Sequence, residues 1–493
     1  MASDNIKSGG NATIAVKVGG NPVPDQYSIL SVNIEKRVNK IATARIVILD
    51  GEPDTGLFPA SSSGIFVPGA AVVIEAGYDS TNAVIFQGII TNQALRVDEV
   101  VGSALEVVCR DAAIKMVIGR KCLSFSKQKD SDIISSIIGT YSGLTADVAS
   151  TTTQWPEQIQ YYATDWDFIL SRAEANGLIV TTLNGTVSVK APDANSSPVL
   201  IAKYGDNILQ FNADLDSITQ LASVTSSTWD FTNQAISTGQ ANNNFAGPGN
   251  LSCKTLSDVV GLSSYQLQTS APLQNTDLTD WSKAQLVKSE YAKIQGEIKF
   301  QGTSLVDPGK YITVQGMGDR FNGDHLISGV KHDYAEGNWL TEVSIGLTFN
   351  WFTEEPDVVA PPASGLLPGV RGLLNATVKK IDSDPDTQYR ILVTIPMIDP
   401  NGEGIWARLT NFYSTNGAGA FFLPEVGDEV IVGFLNEDPR YPVILGSVYS
   451  STKLKPFQTL APNEKNSLKA IVSKTGLTVQ FDDENKIITV VTP

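Results

Sequence analysis

Tyr389-Arg390-Ile391-Leu392-Val393-Thr394-Ile395-Pro396 alternates with period two: Tyr389, Ile391, Val393 and Ile395 point one way, Arg390, Leu392 and Thr394 the other. Four neighbouring stretches are as short and as strand-like: Leu373–Ile381, Ile405–Thr410, Glu429–Leu435 and Pro442–Tyr449. Within the fourth of the five, Val430, Val432 and Phe434 repeat the same alternation. Five short strands in about a hundred residues, with turn residues between them, predict a small closed barrel. Gly427 supplies the positive φ for a tight turn before Glu429–Leu435. Pro439 and Pro442 fix the entry of the last strand, and Gly446 is expected to allow a close backbone approach.

Two phrases in this region, Pro424-Glu425-Val426-Gly427-Asp428-Glu429-Val430 and Asp438-Pro439-Arg440-Tyr441-Pro442-Val443-Ile444-Leu445-Gly446-Ser447-Val448-Tyr449, resemble the oligonucleotide/oligosaccharide-binding (OB) barrel of the VgrG family. That family comprises spikes of type VI secretion systems, contractile injection particles and phage baseplates. Thr164-Asp165-Trp166-Asp167-Phe168-Ile169-Leu170-Ser171-Arg172-Ala173-Glu174-Ala175-Asn176-Gly177 resembles the helix signature of its N-terminal hub. A fainter echo is Pro308–Val314 followed by Phe321–Ile327.

The resemblance implies a structural, non-enzymatic spike. It would be a homotrimer whose hub caps a hexameric inner-tube protein through pseudo-sixfold matching and whose C-terminus begins a membrane-puncturing needle. Implied partners are further copies of the chain, the tube, baseplate proteins and a spike-tip protein or effector, with transient contact to a target membrane. The implied history is synthesis in the bacterial cytoplasm, assembly into an injection particle and delivery outside the cell.

Composition bounds these expectations independently. The chain has 493 residues, enough for two to four domains, and 42% hydrophobic content. Its net charge is −16, with no cluster of Lys and Arg, which argues against nucleic acid as a partner. Met1–Asn5 lacks the basic and apolar regions of a secretory signal, and no apolar run approaches the roughly 18–20 residues that span a bilayer. Cys109, Cys122 and Cys253 are odd in number and far apart, so buried, inert thiols are expected in place of a disulfide framework or metal site.

The fold class is mainly β with a few helices: two hub β-barrels with helical insertions, an OB barrel, and the start of a trimeric β-prism. Residues 1–120 read as the first hub barrel, from strands at Ala12–Val18, Tyr27–Ile34, Thr43–Leu49, Ala71–Ala76, Ala83–Gly88 and Ala104–Arg110. Residues 121–200 read as a helical or mixed hub segment. Its first helix carries Ile133, Ile134, Ile137 and Ile138 after an Asp130/Ser131 cap and stops at Gly139. Its second carries Trp166, Ile169, Leu170 and Ala173 on one face between a Thr164 cap and an Asn176-Gly177 stop.

Residues 201–353 read as a second barrel with a helix over Leu278–Gln295 and strands at Ile298–Phe300, Tyr311–Gln315, Leu326–His332 and Leu340–Phe349. Polar Thr232–Asn250 reads as a surface loop. Residues 354–370 are a Pro-rich linker, 371–455 the OB domain and 456–493 the prism.

In the last segment Leu477–Val491 reads as a hairpin with Leu477, Val479 and Phe481 on one face, matched by Ile488 and Val490 or by their odd-numbered neighbours. A lone hairpin is marginal in water, and three copies about one axis would bury these faces. The candidate trimer core is therefore Leu477, Val479, Phe481, Ile488 and Val490. Family members usually continue into a longer β-helix, so a shortened chain is expected. Phe421, Phe422 and Leu423 are the candidate packing residues of the OB domain against a neighbouring subunit.

Catalytic, cofactor and metal residues are not assigned. The chain holds two histidines, His325 and His332, both expected in structural turn positions, and lacks GxSxG, GxxxxGK[ST] and GxGxxG. Asp382-Ser383-Asp384-Pro385-Asp386 opens like a calcium loop, but Thr387 and Val393 stand where Gly and Glu are required. Asp165 with Asp167, or Glu425 with Asp428, would serve the alternative of a carbohydrate-active phage tail protein using paired carboxylates. Asp165 also suits a first helical turn.

Overall fold

The computed structural model describes residues 10–98, 102–450, 453, 455–457 and 463–493, so the expectations for Met1–Asn5 and much of 450–462 lie outside the described residues. The chain divides into two compact units, Met1–Val359 and Ala360–Pro493. It is mainly β throughout.

In the first unit one hydrogen-bonded sheet holds thirteen strands, eleven along a single path and two, Leu200–Lys203 and Tyr311–Gln315, branching from it. The six N-terminal strands expected from the sequence are all present and contiguous, as Ala12–Val18, Ile29–Arg37, Thr43–Leu49, Ala71–Tyr78, Thr81–Asp98 and Gly102–Arg110. Their inward positions build one core, including Ile34, Ile46, Ile74, Phe86 and Val107. Leu200–Lys203, Ile208–Leu215, Ile294–Gln301, Tyr311–Gln315, Gly323–Ala335 and Asn338–Ile345 build a second around Ile298, Phe300, Ile312, Val330 and Val343.

The two blocks have separate cores but share one sheet, because Ile29–Arg37 pairs antiparallel with Gly323–Ala335. Trp339 crosses from the second block into the first core. It fits because residue 302 is glycine: a Cβ there would lie 2.1 Å from the indole.

The helical layer corrects several local expectations. Helix α1, Asp130–Gly139, takes Lys129 as its cap position, so Asp130 and Ser131 lie inside it, buried. Helix α2, Asp165–Ala175, starts as expected, with Thr164 accepting from the Asp167 N–H, and Asn176 and Gly177 (φ +69°) end it. Trp166, Ile169, Leu170 and Ala173 pack with Ile133, Ile134, Ile137 and Ile138.

Two further helices follow. Helix α3, Cys253–Val260, was not anticipated. Helix α4, Asn275–Tyr291, begins and ends earlier than the apolar stripe suggests, because strand Ile294–Gln301 claims Ile294.

Thr232–Asn250 is not simply a loop. Ala235–Asn242 is a strand paired with Ser223–Asp230, itself paired with Tyr265–Thr269. Small polar residues serve here because α4 lies almost against the backbone: a Cβ on Gly239 would sit 2.4 Å from the Thr279 nitrogen, and Ser226 Oγ donates to the Leu278 carbonyl at 2.6 Å.

The second unit contains the closed barrel. Leu374–Lys380, Ile391–Thr394, Ile405–Leu409, Pro442–Ser447 and Glu429–Phe434 close in that order around Val378, Ile391, Val393, Val430, Val432 and Ile444. Gly427 adopts φ +97°. Two details differ from expectation. Tyr389 is 80% exposed and outside the strand, and a Cβ on Gly446 would meet open space beside a bulge.

Replacing Ile444, fully buried in the barrel, should remove packing worth about 2–5 kcal/mol. Ile444→Ala is expected to lower the unfolding midpoint of the second unit while leaving that of the first in place, resolved by calorimetry.

Candidate functional site

The C-terminal segment forms three strands where two were anticipated: Leu468–Val472, Thr478–Asp482 and Ile487–Val491. The register aligns Ile471 with Val479 and Val479 with Val490, and beside them Lys469 with Phe481 and Phe481 with Ile488. Four of the five candidate residues, Val479, Phe481, Ile488 and Val490, therefore share one face. Leu477 precedes the strand at the same parity, and Ile471 joins them. Sequence reasoning missed Ile471: alternation in Leu468-Lys469-Ala470-Ile471-Val472 singles out Leu468, Ala470 and Val472, and Ile471 shares its face with Lys469. The face is uncovered in the single chain: Ile471, Ile488 and Val490 are 53%, 68% and 72% exposed.

A second apolar surface lies on the barrel. The hairpin Ser414–Thr415/Ala418–Gly419 is flanked by Phe412, Tyr413, Phe421 and Phe422, all more than half exposed, and Phe421 meets Tyr389 edge-on at 6.4 Å. Leu423 separates from its candidate partners, because it packs into its own barrel's core.

In the first unit, buried ion pairs hold the helices. Asp130 accepts from Arg172 Nε and Nη2 (2.8 and 2.9 Å), Trp155 Nε1 (3.1 Å) and Asn176 Nδ2 (3.0 Å). Burial by itself raises the pKa of this carboxyl, but Arg172 outweighs it and holds it below the ordinary range.

Asp165 is likewise committed, to Lys121 (2.6 Å), Tyr141 (2.6 Å) and Gln160 (2.9 Å). Its main role is thus an ion pair, beyond the helix dipole alone. Glu174 pairs with Lys288 of α4 and accepts from the Phe352 N–H at 2.6 Å.

Of the carboxylates considered for hydrolysis, Asp165, Glu425 and Asp428 are engaged in structure. Glu425 pairs with Lys474 at 2.8 Å, and Asp428 accepts the Glu425 N–H at 2.9 Å. In the calcium-like loop, Asp384 accepts from the N–H groups of Asp386, Gln388 and Arg390 and from the Arg390 guanidinium, which holds it well below the usual carboxylate range.

Both histidines lie within a strand, in contrast to the expected turns. His325 Nε2 meets the Phe321 carbonyl at 2.8 Å, and His332 Nδ1 meets Thr341 Oγ1 at 3.0 Å. Burial lowers both pKa values. Burial also pushes the Cys109 thiol up to about 12 and Cys253 to about 11, whereas Cys122 is exposed, contrary to expectation.

With this geometry in hand, comparison with known proteins is specific. The sequence profile described as the Alg8 N-terminal domain matches residues 8–336, well over half of the chain. The chain belongs to the Alg8 N-terminal domain family. Residues 374–449 match the type VI secretion system/phage-baseplate injector OB domain, which covers the closed barrel.

Curated relatives include two type VI secretion system spike proteins of Pseudomonas aeruginosa. VgrG1a is 26% identical over 178 residues, covering 34% of this chain and 27% of the relative. VgrG1c is 32% identical over 175 residues, covering 33% and 24%. The matched part of this Alg8-family chain thus spans about a quarter of the length of each.

In fold it resembles the 43 kDa tail protein of prophage MuSo2 from Shewanella oneidensis, with a TM-score of 0.51 at 12% identity, over 68% of this chain and 98% of that one. The resemblance to VgrG-family spike proteins first drawn from the Pro424–Val430 and Asp438–Tyr449 phrases is borne out.

One titratable group gives a test of this Alg8-family unit. Glu290, beside Lys293 and His325 around a small cavity, is pushed up to about 7 by burial. A raised carboxyl is neutral in the fold at low pH. Its destabilising effect begins above the unfolded value of about 4.3 and is complete above about 7. Glu290→Gln is therefore expected to raise stability by about 1–3 kcal/mol at pH 8 and to change little at pH 4, measured by urea unfolding at both pH values.

Proposed function

We propose that this chain is the structural spike of a contractile injection machine: a homotrimer whose first unit caps an inner tube and whose C-terminal strands begin the puncturing needle. The observation that carries the reading is the uncovered apolar face of the C-terminal strands. Full burial of side chains such as Val479, Phe481, Ile488 and Val490 contributes roughly 1.5–3 kcal/mol each, which three copies about an axis would realise. Phe421 and Phe422 extend the same contact from the barrel.

The two sheet-bounded cores of the first unit support a pseudo-sixfold hub. Three chains would offer six similar blocks to a hexameric tube ring. Baseplate proteins, a tip protein or an effector would be further partners, and the target membrane would be touched only during delivery. Function in this reading comes from rigidity and symmetry, without a catalytic step, and the assembled particle carries the protein out of the bacterial cytoplasm. Among the described residues no helix is long and apolar enough to cross a membrane.

Light scattering after size exclusion tests the assembly. The chain is expected at about three times its 52.8 kDa mass, and Val479→Asp combined with Val490→Asp is expected at the monomer mass with an unchanged circular dichroism spectrum. A monomeric unmodified chain, or a double variant that stays trimeric, would contradict this use of the face.

A further inference from the structure

A pocket of about 230 Å³ opens in the first unit between the C-terminal end of α2, the first turns of α4 and the strand Gln154–Ala163. Two indoles line it, Trp155 and Trp281, both partly exposed, with Ala175 and Leu273 completing its apolar wall. Its volume is below the roughly 300–1,000 Å³ typical of drug-sized ligands, leaving room for about one ring.

The polar groups that reach it have spare capacity. Arg172 commits Nε and Nη2 to Asp130, leaving Nη1 without a protein partner among the described residues. Trp281 Nε1 and Asn176 Oδ1 are likewise without one, and Asp277 and Asp280 keep lone pairs beyond those that Thr153, Thr152, Gln274 and Lys283 use. Donors and acceptors with spare capacity thus line the pocket together with its two indoles.

Charge decides the class of ligand. Arg172 is balanced by Asp130, Asp280 by Lys283, and Asp277 sits in the first turn of α4, where the helix dipole offsets it. The Arg172 guanidinium already lies over the Trp155 ring at 5.2 Å, which leaves Trp281 as the indole for a guest to stack on. A near-neutral pocket with an aromatic wall and paired donors and acceptors suits a neutral, hydroxyl-rich ring that stacks its C–H face and hydrogen-bonds at its edge.

We infer that this pocket binds a single pyranose residue of a neutral glycan. The site is one of recognition, in which the remaining lone pairs of Asp277 and Asp280 accept from ring hydroxyls. It gives the first unit a way to engage an envelope polysaccharide, a role distinct from tube capping.

The full chain would be applied to an array of neutral, acidic and amino glycans, with affinities for the glycans it retains taken from intrinsic tryptophan fluorescence. Binding to at least one neutral pyranose-containing glycan is expected. Trp281→Ala should weaken it about tenfold, equivalent to about 1.4 kcal/mol, and Ala175→Leu, which fills the pocket, should abolish it. Thermal melting would establish that each variant is folded, and Ala175→Leu decides the matter if Trp281→Ala is not.

Retention of no neutral glycan would overturn the inference. So would affinities unchanged in both variants, or displacement by tetramethylammonium chloride, which would mark a cation site.

Discussion

The first unit depends on one pairing, the antiparallel ladder between Ile29–Arg37 and Gly323–Ala335. It joins segments about three hundred residues apart and turns two sheet blocks into one continuous surface. Every strand further out inherits its position from this seam. Loop closure over such a separation adds little per extra residue, but it must precede the contacts that reward it. The seam is secured by packing, with Trp339 seated in the opposite block's core over Gly302.

Around that sheet the helices are held by charge as well as by apolar faces. Asp130 with Arg172, Asp165 with Lys121, and Glu174 with Lys288 are pairs in which the acid is nearly fully buried. A pair of this kind contributes little net stability over an apolar contact, yet each end is costly if left alone. These pairs join α2 to α1, to α4 and to the strand Lys121–Lys129.

The fold was legible where periodicity matches burial. Ile391, Val393, Val430 and Val432 alternate cleanly because one face of each barrel strand is core, and their five strands close as the spacing implied. Helix α2 was legible because its cap, its apolar face and its stop agree. Ala235–Asn242 was not legible as a strand, because Ser, Thr and Gly there serve close approach of a helix and carry no hydrophobic signature. Of the candidate surface, Val479 and Phe481 could be placed on one face from alternation alone, whereas the choice of Ile488 and Val490 over Ile487, Thr489 and Val491 needed the strand register. Leu423 could not be told from Phe421 and Phe422, since three consecutive apolar residues carry no period.

The sequence by itself determined the barrel, the apolar alternation of the last strands and the kinship written in two turn-and-strand phrases, because these are local patterns of burial and turn chemistry. Only the tertiary structure decided that the two N-terminal blocks share a sheet, that Asp130 and Asp165 are buried partners of Arg172 and Lys121, and that Trp155 and Trp281 line one pocket. Those facts are meetings of residues distant along the chain. Register and packing settle them, and no local pattern encodes them.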